Sequence, residues 1–142
     1  MRRLPPLMSE HPRGLQIVFV VIVPAVYGAI TGYFLGTSEP VYLVLSIVGV
    51  VGGIAAGFDH VGWKAGALRG IAAGSIFGAS ILIAHEIHGE EAKAEIPDPA
   101  ILLIVLTTVL AVVFAAIGGW ARARAERNAV SHSAPDVPGP LG

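Results

Sequence analysis

The densest group of side chains able to do chemistry is His85-Glu86-Ile87-His88-Gly89-Glu90-Glu91. On a helix His85 and His88 share a face at i, i+3, and Glu91 reaches the same side if the helix continues through Gly89. Imidazole with carboxylate suits Zn²⁺ or another borderline divalent ion, which makes His85, His88 and Glu91 candidate metal ligands. The same histidine pair can sense pH. A plainer reading stands beside these: histidines in the last turn of a helix complement its negative end. A second group, Asp59, His60, Lys64 and Arg69, offers an Asp59–Arg69 pair at an inner mouth. Such a pair can clamp a loop or line an entrance, and ordinary interfacial charge also accounts for it.

Little else is reactive. There is no cysteine, which excludes disulfides, thiolate metal sites and cysteine nucleophiles. The polar groups that fall mid-way along apolar stretches are hydroxyls: Thr31, Ser46, Ser75, Ser80, Thr107 and Thr108, with Tyr27 and Tyr33. A serine without a His or Lys partner is a poor nucleophile, so the chain does not read as an enzyme. Proton-coupled transporters keep ionisable groups at membrane depth as relays. Small multidrug exporters share this chain's size but need a carboxylate in the first helix, and none stands there. A net charge of −1 with no large basic patch excludes a nucleic-acid partner.

The elements that must position these groups are membrane helices. Of 142 residues, 54% are hydrophobic and 13% charged, about half the ~25% charged of a soluble domain. Mean hydropathy is +0.74. Between Arg13 and Glu39 stand 25 uncharged residues, between Glu39 and Asp59 19, between Arg69 and Glu86 16, and between Asp98 and Arg122 23. A bilayer core about 30 Å thick takes roughly 17–25 helical residues. Three runs qualify outright, and the third run qualifies if Arg69 snorkels to the interface. The spacing predicts an all-α integral membrane four-helix bundle, with helices near 15–37, 41–58, 65–88 and 99–121. Residues 1–14 form an N-terminal segment, and 122–142 a basic, then disordered, tail. The first run is longer than the ~7–15 residues of a signal-peptide core, so it reads as a retained helix.

Glycine recurs every fourth residue within three of these runs: Gly28, Gly32, Gly36; Gly49, Gly53, Gly57; and Gly66, Gly70, Gly74, Gly78. Lipid tails are as apolar as leucine, so helices in a bilayer associate by close van der Waals contact, which small residues at i, i+4 permit. The rows predict glycine-zipper (GxxxG) packing. The first and third rows lie 42 residues apart, which suits either a duplicated hairpin or convergence on one packing device. Pro24 removes a backbone donor mid-span, so a neighbouring helix must shelter the freed carbonyl.

Element ends carry further signals. Pro40 suits the first turn of the second helix after Ser38 or Glu39, Asp98 suits the cap of the fourth, and Gly89 the stop of the third. Of nine Lys and Arg residues, eight flank the ends that four spans place together: Arg2, Arg3, Arg13, Lys64, Arg69, Arg122, Arg124 and Arg127. Only Lys93 is opposite, among Glu39, Glu86, Glu90, Glu91, Glu95 and Asp98. The positive-inside rule then places both termini in the cytoplasm, in a cell or inner membrane, with Trp63 and Trp120 at the inner interface.

Lys64-Ala65-Gly66, Ala73-Gly74 and Phe77-Gly78 resemble a short stretch of the small four-helix transmembrane-protein-14 family. The glycine-rich four-span plan is similar to the Tim-type translocase family, whose signature partly fits Ala55, Phe58 and Arg69 but has an acid where Ala73 stands and a glycine at Ile81. Each likeness covers a short, mostly glycine stretch and implies only the four-helix plan. Two functions compete. One is a structural or accessory subunit packing with itself or with a larger membrane complex. The other is an oligomeric channel or facilitator, for which Thr31, Ser75 and Thr107 would converge on one water-accessible line. No cofactor is called for beyond a divalent metal at the outer end of the third helix.

Overall fold

The computed structural model describes residues 7–131. Among them, four helices are long and apolar enough to cross a membrane: α1 Arg13–Thr37, α2 Glu39–Phe58, α3 Trp63–His88 and α4 Ile101–Ser131. The all-α four-helix expectation holds, and the protein is a multi-pass membrane protein. The segment Arg2-Arg3 and the last part of the tail lie outside the described residues.

Helix ends follow local chemistry. Ser38, extended at φ −155°, is the N-cap of α2, and Pro40 sits in the first turn, where its missing N–H breaks no bond. Gly62 and Gly89 hold positive φ (93° and 72°), which glycine adopts without strain. Gly62 turns the chain into α3, and its N–H donates to the Gly119 carbonyl of α4. Gly89 ends α3 as a left-handed cap. Two expectations change here. Asp98 does not cap α4, which starts later, at Ile101, after a turn in which Leu102 N–H donates to Pro99 O. The fourth helix also runs on to Ser131, past its expected end at 121. Arg122 and Glu126 pair at i, i+4, 2.7 Å apart. No glycine or proline follows Gly119 before Pro135, so nothing stops the helix.

The bundle is a folded row. α3 lies between α1 and α4, and α2 packs mainly on α4, touching α1 and α3 only lightly. Along the α3–α4 seam the backbones nearly touch. A Cβ on Gly70 would stand 2.5 Å from Ala111 O, and one on Gly74 2.7 Å from the Cα of Thr108. Gly66 meets Ala115 and Gly78 meets Ile104 and Thr107, so each four-residue step up α3 descends one turn of α4. Gly57 of α2 and Gly118 of α4 face each other's helix backbone in the same manner. In α1, Gly28 and Gly32 face the α3 backbone at Phe77 and Ile81.

The acidic end is capped by the α3–α4 loop. Leu35, Tyr42, Ile81 and Leu103 form a buried cluster, covered by Ala92, Ala94 and Ile96. Lys93 N–H donates to Leu35 O at 2.8 Å, pinning that loop to α1. At the basic end Arg122 is buried, with its guanidinium over the Phe58 ring.

Candidate functional site

Two of the four buried polar atoms without a partner among the described residues belong to Arg69, which lies beside the π turn before Pro24; the others are Ser46 Oγ and His85 Nδ1. Residues Val18–Ile22 of α1 form a π turn, in which Val23 N–H donates to Val18 O, five residues back. In that register the next carbonyl, Phe19, faces Pro24, which has no N–H to give. A carbonyl stranded at membrane depth is costly, because lipid offers no donor. Arg69 supplies one: its Nη2 donates to Phe19 O. The two residues meet because α1 and α3 run in the same direction and each residue lies six positions into its helix. At 1.5 Å per residue both sit about 9 Å from the helix start. Thus the carbonyl freed by Pro24 is sheltered by a neighbouring helix, as its missing donor requires.

This overturns the expectation that Arg69 snorkels to the interface. Only 8% of Arg69 is exposed. Its Nε and Nη1 are buried with no hydrogen-bond partner. Asp59, the half-buried C-cap of α2, makes no ion pair with it. Instead of the expected clamp, Asp59 acts on Arg69 only as a nearby opposite charge, while the direct hydrogen bond of the guanidinium goes to a backbone carbonyl. A guanidinium costs roughly 2.5–3.5 kcal/mol at the centre of a membrane helix on insertion scales and less toward its end, where Arg69 lies; ionisable groups within a span mark functional positions.

Arg69 lines a cavity of about 270 Å³ between α1 and α2, floored by α3 and α4. Its walls are apolar: Phe19, Val23 and Pro24 from α1, Val48, Gly52 and Ala56 from α2, with Ala73 and Ala111 beneath. Toward mid-membrane it is closed by Tyr27 and Phe77, whose rings stack at 5.8 Å. The same rings lie 3.0 and 3.3 Å from where a Gly49 Cβ would stand. Tyr27 Oη donates to Leu45 O at 2.8 Å, tying α1 to α2 above the gap. The other polar wall group, Thr107, bonds to carbonyls of Leu103, Ile104 and Gly74. The unpartnered polar atoms among the cavity's lining residues therefore belong to Arg69.

Compared with known proteins, the chain matches no family model, no curated protein and no solved structure. The short glycine-rich likenesses in the sequence assign it nothing.

The outer His/Glu group is arranged differently from the metal-ligand expectation. Gly89 turns left-handed and ends α3 at His88, so Glu91 lies beyond the helix and off the histidine face. The His88 ring packs on Tyr33, with centroids 4.4 Å apart, and His85 Nδ1 is buried without a partner. Among the described residues, no three His, Asp or Glu side chains are placed to hold a metal ion. His85, His88 and Glu91 are therefore not brought together as a set.

Most mid-span hydroxyls bond to helix carbonyls, while Ser46 Oγ is buried without a partner. Thr31 donates to Tyr27 O, Ser75 to Ile71 O and Thr108 to Ile104 O, each one turn back on its own helix. Ser75 and Thr108 also meet at 3.3 Å across the α3–α4 seam. Sequence reasoning missed the Phe19 carbonyl, the Tyr27–Phe77 stack and the close approach of Gly118 and Gly119. The first had a readable signal, a proline and an arginine at matching depth in parallel helices.

Proposed function

We propose that this protein is a structural or accessory membrane subunit that packs with itself or with a larger membrane complex. It sits in the cell or inner membrane with both termini cytoplasmic, as the gathering of basic residues at one end favours. The observation that carries the reading is the fate of the hydroxyls. Thr31, Ser75, Thr107 and Thr108 bond to helix carbonyls. A permeation path needs polar groups from several helices turned to one line of water. The cavity near Arg69 stops at the Tyr27–Phe77 stack, and beyond it lies the apolar cluster of Leu35, Ile81 and Leu103. No catalytic chemistry is assigned. The glycine rows serve packing: on α3 they face α4, while the large apolar side chains left exposed on α2, Val44, Ile47 and Val51 among them, offer that helix to a further partner.

The test is flux. Purified protein reconstituted into liposomes is expected to leave them tight to K⁺, protons and glycerol. Protein-dependent leak of any of these would replace the packing reading with an oligomeric facilitator. Labelling of Lys93 from the outer face of intact cells is the expected orientation result.

A further inference from the structure

We propose that the α1–α2 cavity is a binding site for an acyl-chain amphiphile with an anionic head, the head held by Arg69 and the chain lying against Val23, Val48 and Phe77. This goes beyond the packing role and stands independently of it. Three observations converge. The first is charge: Arg69 is buried, bonded to one uncharged carbonyl, and carries two nitrogens with no partner. A guanidinium in that state pairs strongly with a carboxylate or phosphate, both of which accept charge-assisted hydrogen bonds. The second is the wall. Tyr27 and Thr107 already bond to carbonyls, so beyond one anionic contact the cavity rewards only hydrocarbon.

The third is access. Phe19, Val23 and Val48 line the cavity and are 44%, 47% and 54% exposed. The cavity therefore opens sideways to lipid, through the gap where α1 and α2 pack lightly. From Arg69 to Phe77 is eight residues of α3, about 12 Å of helix rise. An amphiphile whose head lies near the basic end and whose chain points toward mid-bilayer, as in the leaflet on that side, fits this direction. The volume of about 270 Å³ sits at the lower edge of the ~300–1,000 Å³ usual for ligand pockets. One chain segment fits, with the remainder projecting through the gap into lipid.

Any lipid tail can fill an apolar gap, so the experiment must isolate the head. Full-length protein in neutral detergent is titrated with oleic acid, with phosphatidylglycerol, and with uncharged monoolein, and bound ligand is read by native mass spectrometry. One equivalent of an anionic amphiphile is expected to be retained, and monoolein roughly tenfold less. Preference for oleic acid identifies a carboxylate head, and preference for phosphatidylglycerol a phosphate. Arg69→Met is expected to weaken retention roughly tenfold or more. Because that change also strips Phe19 O of its donor, Gly52→Leu decides the matter. Gly52 lines the cavity and has open space where its Cβ would stand, so the first carbon of a leucine there meets no neighbour and the side chain takes up room at the site. Gly52→Leu is expected to fold and to lose the anionic ligand. Equal retention of monoolein by the unaltered protein, or undiminished anionic binding in a folded Gly52→Leu, would overturn the proposal.

Discussion

The glycine rows of α3 and α2 have the same residue type at the same spacing, yet the first lies in a closed seam with α4 and the second borders the gap between α1 and α2. On α3, Gly66, Gly70, Gly74 and Gly78 each lie against the α4 chain. The facing residues are small: Thr107, Thr108, Ala111 and Ala115. On α2, Gly57 lies against the α4 backbone at Ala115, but farther along Gly53 stands at ordinary distance from Phe114, Gly49 meets the rings of Tyr27 and Phe77, and the neighbouring Gly52 meets nothing. A glycine permits approach, but the opposing surface decides whether approach happens. Where that surface is a wedge of two aromatic rings, the missing side chains leave a cavity. The α1 side adds a second obstacle, since the π turn before Pro24 changes the helix register at the level of the gap.

The sharpest way to break this contrast is to make one substitution on both seams. Gly70→Leu places a side chain against Ala111 O and the Cα of Val112, at 2.5 and 2.6 Å from its first carbon. Backbone cannot step aside as a flexible side chain does. Overpacking of this kind costs about 3 kcal/mol or more, and we expect loss of the monodisperse folded protein. Gly74→Leu is expected to behave alike, and worse than Leu82→Ala. Gly52→Leu should change the midpoint of denaturation by SDS only slightly. Equal tolerance at Gly70 and Gly52 would show that the two seams do not differ.

Much of the architecture is legible in the sequence because membrane helices are bounded by charge. Intervals such as Glu39 to Asp59 measure the bilayer directly. The ends are less legible, since they depend on caps: Ser38 starts α2 before Pro40, and α4 outruns its uncharged run, which ends before Arg122, on alanines and an i, i+4 ion pair. The site was legible only in its parts. Pro24 announces a stranded carbonyl and Arg69 a costly charge. Their meeting requires that α1 and α3 be neighbours and that the π turn strand Phe19 O. Neither fact is encoded in spacing. The His85–Glu91 group misleads for a related reason: the glycine that made the stretch look like a helix end does end it, and so parts Glu91 from the histidines.

Of intermediate size is the coupling between Pro24 and Arg69. Arg69→Met leaves Phe19 O without a donor, while Pro24→Ala restores a backbone N–H that can satisfy a carbonyl of the π turn. If the arginine is held there to serve the carbonyl that proline frees, the two changes are not additive. A double-mutant cycle on SDS-unfolding free energies is expected to show about 1 kcal/mol of coupling, with Arg69→Met costing less in the Pro24→Ala background. Strict additivity would mean that the Arg69–Phe19 bond does not depend on the proline.

The smallest effect should come from Tyr27→Phe. The Tyr27 hydroxyl donates to Leu45 O across the gap, while its ring stacks on Phe77. Phenylalanine keeps the ring and therefore the wedge, so the cavity wall survives and only the tie between α1 and α2 is cut. Leu45 O lies in the body of α2 and keeps its own helical donor, which limits the penalty for losing the tyrosine. Interhelical hydrogen bonds in membrane proteins average about 0.6 kcal/mol, and a loss near that figure is expected in the SDS-unfolding free energy. Because the ring sets the gap and the hydroxyl merely spans it, anionic-amphiphile binding should persist in Tyr27→Phe and fail in Tyr27→Ala, where the closing stack is gone. A Tyr27→Phe protein that lost binding while Tyr27→Ala kept it would reverse those roles and make the hydroxyl, rather than the wedge, the feature that holds the two seams apart in character.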